Sequence, residues 1–124
     1  MKVFVADDQK EVRSALRLIL EHYGVDVVGE VNNYQSLVAE LTECHPDVLL
    51  LDWELPGNPY RASQPSDPLP ILTECCPEMQ VIVMSCLPES RLETADLACG
   101  FISKSDPPDV FLKAVTNLVE HTLI

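Results

Sequence analysis

Four short apolar runs in this sequence each end on polar residues that could take part in chemistry. In chain order, these residues are Asp7, Asp8, Asp52, Ser85 and Lys104. If the runs are parallel strands of one sheet, their carboxyl ends open onto one edge, and the polar side chains should converge there. Each residue also has an ordinary explanation. The aspartates are common turn formers, the serine could cap a helix, and the lysine could be a solvated surface amine.

Together, these residue types indicate phosphoryl chemistry. Three carboxylates packed closely repel by about 4 kcal/mol per pair, for unit charges 4 Å apart at an effective dielectric constant near 20. Mg²⁺ suits such a cluster, because it typically takes one or two carboxylates, keeps several waters and accepts a phosphate oxygen. A carboxylate can attack phosphorus to form an aspartyl phosphate. A lysine and a hydroxyl can then bind the phosphoryl oxygens.

The elements that must position these residues are strands alternating with helices. The run at 48–51 consists of large aliphatic residues without polar alternation, which is typical of a strand buried on both faces. Five strands and five helices alternate, which predicts an α/β fold with a mainly parallel sheet and helices on both faces. The strands are predicted at residues 3–6, 25–31, 48–52, 81–84 and 101–103.

The helices are predicted from apolar spacing and from residues that start or stop them. The first helix should stop at Gly24, and Asn32 or Asn33 should cap the second. Residues 56–70 carry five of the ten prolines, which predicts an irregular loop and a shortened third helix ending near residue 76. A fourth helix should run over about 88–99. The last should be capped by Asp106, with Pro107 at its first position.

This arrangement resembles the receiver domain of two-component response regulators. The matching residues are Asp7-Asp8, Asp52 followed by Pro56-Gly57, Ser85, and Gly100-Phe101-Ile102-Ser103-Lys104. The resemblance covers essentially the whole chain, so a single receiver domain over 1–124 is expected. It implies a flavodoxin-like, doubly wound (βα)5 fold with a five-stranded parallel sheet in the order 2-1-3-4-5.

The resemblance also implies which residues hold the phosphoryl group and the metal. Asp52 would accept a phosphoryl group from a phosphohistidine donor. Asp8, Asp52 and the main-chain carbonyl of Glu54 would hold Mg²⁺, and Asp7 would assist through water. The chain would then be a signalling phosphoacceptor, self-phosphorylating and self-dephosphorylating, rather than an enzyme with a separate substrate.

The same resemblance implies how phosphorylation would be sensed. Lys104 would bind the phosphoryl group, Ser85 would follow it, and the aromatic ring of Phe101 would move inward as a switch. The surface near Ser85 and Phe101 would change and control an output domain or a partner. Moving such an equilibrium from 1:99 to 99:1 takes about 5.5 kcal/mol of differential interaction.

Several positions depart from the family pattern. The loop after Gly57 is longer and richer in proline than usual and lacks an Asp/Asn-Gly element, so its role is open. Ser105 follows Lys104, where the family often has a proline. Glu54 and Leu87 lie where the family varies the residues that modulate phosphoryl lifetime. The side chain of Glu54 could slow or redirect hydrolysis, or it could simply be solvated.

Composition and charge limit the partners. The net charge of −12 disfavours direct nucleic-acid binding by this chain. No apolar run reaches the roughly 20 residues needed to span a membrane, and a cytoplasmic location is expected. The five cysteines are best explained as reduced thiols. The resemblance implies a sensor histidine kinase or histidine phosphotransfer protein as donor, a possible output domain beyond Ile124, and possible phosphorylation-dependent dimers.

Two alternative functions remain open from the sequence. The chain could be a receiver-like interaction module that works without phosphorylation. Asp52-Trp53-Glu54 also resembles a variant of the Asp-x-Asp motif of Mg²⁺-dependent, haloacid dehalogenase-like phosphatases. Those enzymes place the motif on their first strand and the acidic pair late in the chain, whereas here the acidic pair comes first.

Overall fold

Five parallel strands form one sheet at the centre of the computed structural model, which describes residues 1–57, 72, 76–87 and 98–123. The strands are β1 (Lys2–Ala6), β2 (Asp26–Val31), β3 (Val48–Asp52), β4 (Gln80–Ser85) and β5 (Ala98–Ser103). Their order across the sheet is β2-β1-β3-β4-β5, and each neighbouring pair is parallel. The predicted doubly wound fold and strand order are confirmed.

Three helices lie in the described part of the chain, namely α1 (Lys10–His22), α2 (Tyr34–Cys44) and α3 (Pro108–Leu118), which continues as a π-helical turn over Val119–Leu123. After α1, Gly24 adopts a left-handed conformation with φ of 76°. There, Gly24 N–H donates to the carbonyl of Glu21 at 3.0 Å, and Val25 N–H donates to that of Leu20 at 2.9 Å. These are the bonds of a Schellman motif, so the predicted stop at Gly24 is confirmed.

The cap of the second helix agrees with the sequence, but that of the last does not. Asn33 Oδ1 accepts a hydrogen bond from Ser36 N–H at 2.8 Å, so Asn33 caps α2. The predicted cap at Asp106 is wrong, because Pro107 is the N-cap residue and lies in an extended conformation without a side-chain cap. A residue that precedes a proline is disfavoured in the helical region. Pro107 precedes Pro108, so the helix begins one residue later than predicted.

The fifth strand also begins earlier than predicted. β5 starts at Ala98, which pairs with Val81, so a fourth helix extending to Cys99 is wrong at its last residues. The proline-rich loop beyond Gly57, the predicted third helix and residues 88–97 of the predicted fourth helix lie outside the described residues, apart from Leu72 and Cys76.

The sheet separates two apolar clusters, and β3 contributes to both. On one face, Leu49 and Leu51 pack with residues of α2. On the other, Val48 and Leu50 pack with residues of α1 and α3. All five residues of β3 are buried, because helices cover both faces at this strand. The middle of the sheet is therefore apolar on both faces, and its carboxyl edge carries the polar residues.

Candidate functional site

The acidic pair follows β1 and differs in exposure. Asp7 is fully buried, whereas Asp8 is exposed. Asp7 N–H continues the sheet by donating to the carbonyl of Val31 at 3.0 Å. Its carboxylate oxygen Oδ1 accepts from Gln9 N–H at 2.8 Å, and its main-chain carbonyl accepts from Arg13 Nη1 at 2.7 Å. The position of Asp7 is thus fixed by the sheet, by the start of α1 and by an arginine that sequence reasoning did not single out.

Asp52 is the last residue of β3 and is fully buried. Its Oδ1 accepts from Glu54 N–H at 3.0 Å, and its carbonyl accepts from Leu55 N–H at 3.1 Å. This turn aims the carboxylate at the edge of the sheet. The other oxygen, Oδ2, is buried and accepts no hydrogen bond from the described residues. A buried carboxylate oxygen without a donor is costly, so this atom is suited to a cation or to a reacting group.

Lys104 follows β5 and lies between two aspartates. Its Nζ donates to Asp7 Oδ2 at 2.8 Å and lies 3.4 Å from Asp52 Oδ2. Its main-chain N–H donates to the carbonyl of Ser85 at 2.7 Å, which aligns the ends of β4 and β5. Burial opposes the charged ammonium, but the hydrogen bond to Asp7 and the charge of Asp52 outweigh it and raise the pKa of Lys104.

The three aspartates form a cluster of oxygen ligands. One carboxylate oxygen from each of Asp7, Asp8 and Asp52 lies within 4.8 Å of the others. Burial, followed by the neighbouring charge of Asp7, raises the pKa of Asp52 to about 7. Burial likewise raises the pKa of Asp7, although Lys104 opposes the shift. These closely spaced carboxylate oxygens, together with Asp52 Oδ2, which accepts no hydrogen bond from the described residues, would suit a hard divalent cation such as Mg²⁺. The metal-binding roles of these residues and of the Glu54 carbonyl remain predictions.

Ser85 is the last residue of β4, and its hydroxyl is hydrogen-bonded to Glu54. The sequence left open whether the side chain of Glu54 takes part in the site or is solvated. Ser85 Oγ is buried and donates to Glu54 Oε1 at 2.5 Å. The same carboxylate oxygen accepts from Cys86 N–H at 3.3 Å. The side chain of Glu54 is therefore not simply solvated, because it bridges the turn after β3 to the segment after β4. Its position two residues after Asp52 was the available signal, but spacing alone does not reveal which partner a side chain takes.

Phe101 lies apart from the acidic cluster. It is in β5, where it pairs with Val83 of β4, and it is partly buried against the apolar cluster that includes Leu51 and Trp53. The structure thus brings Asp7, Asp8, Asp52 and Lys104 together, with Ser85 linked to them through the Glu54 turn. Phe101 is separated from β3 by β4, and its switching role remains a prediction.

A parallel, doubly wound sheet with an acidic cluster and a lysine at its carboxyl edge defines a flavodoxin-like signalling or binding domain. The family model described as the response regulator receiver domain matches residues 3–116. The chain belongs to this family.

Relatives in longer proteins agree with this assignment. A protein-glutamate methylesterase/protein-glutamine glutaminase of Archaeoglobus fulgidus is 30% identical over 121 residues, covering 94% of this chain and 33% of that protein. The phosphate regulon transcriptional regulatory protein PhoB of Escherichia coli is 39% identical over 57 residues, covering 46% of this chain and 24% of PhoB. The chain therefore spans a third or less of the length of these two relatives.

Solved structures agree in fold along nearly the whole chain. The isolated receiver domain of RcsB from Salmonella enterica has a TM-score of 0.75 at 27% identity, covering 98% of this chain and 89% of that one. The response regulator domain of CheB from Thermotoga maritima has a TM-score of 0.76 at 26% identity, covering 97% and 91%. Among the described residues, no helix is both long and apolar enough to cross a membrane.

Proposed function

We propose that this receiver domain accepts a phosphoryl group on Asp52 from a phosphohistidine donor, with Mg²⁺ bound beside it. The observation that carries the proposal is the buried Asp52 Oδ2, which lacks a hydrogen-bond donor among the described residues and lies 3.4 Å from Lys104 Nζ. A carboxylate oxygen of this kind is available to attack phosphorus, and the charge that develops on the phosphoryl oxygens would face an ammonium group.

The neighbouring aspartates are less suited to be the nucleophile. Both carboxylate oxygens of Asp7 are engaged, one by Gln9 N–H and the other by Lys104 Nζ. Asp8 is exposed and does not have the confined position of Asp52. In Asp52, the hydrogen bond from Glu54 N–H holds Oδ1 and thereby orients the whole carboxylate. Oδ2 is the atom left to react.

The proposed transfer balances as a single displacement at phosphorus. Asp52 Oδ2 forms the new O–P bond while the P–N bond of the donor imidazole breaks, and the departing ring nitrogen takes up a proton from solvent. Asp8, Asp52 and the main-chain carbonyl of Glu54 would hold Mg²⁺, with Asp7 assisting through water. When bound, the ion supplies positive charge for the phosphoryl oxygens and keeps Asp52 ionised.

Lys104 and Ser85 would then stabilise the product. The ammonium of Lys104 would exchange part of its contact with Asp7 for a phosphoryl oxygen, and Ser85 Oγ–H would donate to another. Bonds to charged groups are worth about 1.5–3 kcal/mol each, and the bias on the switch would be their excess over the resting contacts with Asp7 and Glu54. Phe101, in the strand next to β4, would transmit the change to the outer surface of β4 and β5.

The partners follow from this chemistry. A sensor histidine kinase or a histidine phosphotransfer protein would supply the phosphoryl group. The switched surface would regulate an output domain or a separate partner. PhoB is by name a transcriptional regulatory protein, and the Archaeoglobus relative is by name an esterase, so receiver domains like this one are joined to different outputs.

Mass spectrometry of the intact protein tests the proposal directly. Incubation with Mg²⁺ and a small phosphodonor such as acetyl phosphate should add one phosphoryl group, and Asp52→Asn should abolish the addition. Asp26→Asn is the matched control, because Asp26 is an exposed aspartate at the opposite end of the sheet. An unchanged mass of the wild-type chain would instead favour the phosphorylation-independent module. Multiple turnover of a phosphomonoester would favour the phosphatase alternative.

A further inference from the structure

The carboxylate of Glu54 holds both the hydroxyl of Ser85 and the main chain after it. The 2.5 Å distance from Ser85 Oγ to Glu54 Oε1 falls in the range of hydroxyl–carboxylate bonds with an ionised acceptor. Cys86 N–H donates to the same oxygen at 3.3 Å, and Leu87 N–H donates to Ser85 Oγ at 3.0 Å. The start of the segment after β4 is therefore fastened to the turn after β3 through Glu54.

The hydroxyl of Ser85 cannot serve two acceptors. A serine hydroxyl has one proton to donate, and here it is donated to Glu54. Its acceptor side already receives Leu87 N–H. A phosphoryl oxygen on Asp52 would need that proton, so the hydroxyl must leave Glu54 before it can bind the phosphoryl group.

A second observation shows that the carboxylate of Glu54 is turned inward. Its other oxygen, Oε2, is buried and has no hydrogen-bond partner among the described residues. Burying a carboxylate oxygen in this way is unfavourable and needs compensation. The contacts with Ser85 and Cys86 provide it. A phosphoryl group on Asp52 would add negative charge near the carboxylate of Glu54. The resulting repulsion would favour the release of Ser85 by Glu54.

We propose that Glu54 is a positioning residue that holds Ser85 in the unphosphorylated arrangement and competes with the phosphoryl group for its hydroxyl. This inference deepens the proposed function and rests on it. It assigns the side chain of Glu54 a role separate from that of its main-chain carbonyl. The residue sets the threshold for switching, since every phosphoryl group that engages Ser85 must displace it.

Binding of beryllofluoride in the presence of Mg²⁺ tests the inference. This phosphomimetic accompanies the RcsB receiver domain in its solved structure, and ¹⁹F nuclear magnetic resonance measures its bound fraction. Glu54→Ala should tighten binding about tenfold or more, the size expected for a bond to a charged group. In the Ser85→Ala background, the same substitution should tighten binding much less, because only the charge repulsion between Glu54 and the phosphomimetic is then relieved. Glu43→Ala, which removes an exposed glutamate of α2, is the matched charge control.

Each outcome is decisive. Unchanged or weaker binding by Glu54→Ala would overturn the inference, and so would equal tightening with and without Ser85, because the effect would then be one of charge alone. Wild-type binding that depends on Asp52 supports the proposed function whatever Glu54 does. If neither the wild-type chain nor the Glu54→Ala variant shows Asp52-dependent binding, both the function and the inference are refuted.

Discussion

Replacing Lys104 should show how strongly the buried aspartates depend on a cation. Lys104→Met keeps much of the side-chain length and removes the charge. The ammonium lies 2.8 Å from Asp7 Oδ2 and 3.4 Å from Asp52 Oδ2. At an effective dielectric constant near 20, the attractions are about 6 and about 5 kcal/mol. The desolvation of three charges offsets most of this sum.

The expected net loss is about 3 kcal/mol of unfolding free energy at pH 8 without Mg²⁺, the lower end of what breaking a buried ion pair costs. The lower end applies because Asp52, whose pKa is already raised to about 7, can take up a proton when the ammonium is gone. Urea denaturation measures the loss, since small single domains usually unfold in two states.

Mg²⁺ should stabilise the Lys104→Met variant more than the wild-type chain, because the ion would supply the charge that the ammonium supplied. Lys113→Met is the control, since Lys113 is exposed on α3 and its replacement removes the same unit charge. A loss below about 1 kcal/mol, which is the range of exposed ion pairs, would refute the electrostatic reasoning. An equal response of both proteins to Mg²⁺ would also refute it.

Two further predictions concern pH and packing. Because the pKa of Asp52 is raised from 3.8 to about 7 in the folded chain, the folded state holds a proton between these values that the unfolded state lacks. Stability without Mg²⁺ should therefore fall as pH rises from about 4 to 7, by up to about 1.4 kcal/mol per unit. Urea titrations across this range should give a shallower slope for Asp52→Asn, and equal slopes would contradict the assignment. Gly29→Ala should cost about 1–3 kcal/mol in the same assay, because its Cβ would lie 2.5 Å from Cε2 of the buried Phe4; a neutral effect would contradict the tight packing of β1 on β2.

The arrangement of the strands was readable from the sequence because it depends on patterns that few folds satisfy. The apolar run before Asp52 suits a strand covered on both faces, and its short length favours a strand over a helix. Parallel strands place their carboxyl ends on one edge, so Asp7, Asp52 and Lys104 could be assigned to one site before any distance was known. The distances then show which oxygen is engaged and which is not.

The local errors came from effects that apolar spacing does not register. Asp106 was predicted as a helix cap from its type, but consecutive prolines delay the start of α3. The link between Arg13 and the site cannot be predicted from the sequence, because it runs to the main-chain carbonyl of Asp7, which has no sequence signature. The hydrogen-bond partners of the Glu54 side chain cannot be predicted from the sequence either, because a long side chain in a turn can reach several groups.

The contacts of Lys104 and Ser85 would explain how a site that is proposed to bind an anion can be stable without one. Lys104 is satisfied by Asp7 and Asp52, and Ser85 by Glu54. These are the same groups that would receive the phosphoryl oxygens, so phosphorylation would exchange contacts rather than add them. Only the difference in free energy between the resting contacts and the contacts with the phosphoryl group would contribute to affinity or shift the switch. Under the proposed function, the residues that satisfy the resting state would therefore control the response as directly as those that would bind the phosphoryl group.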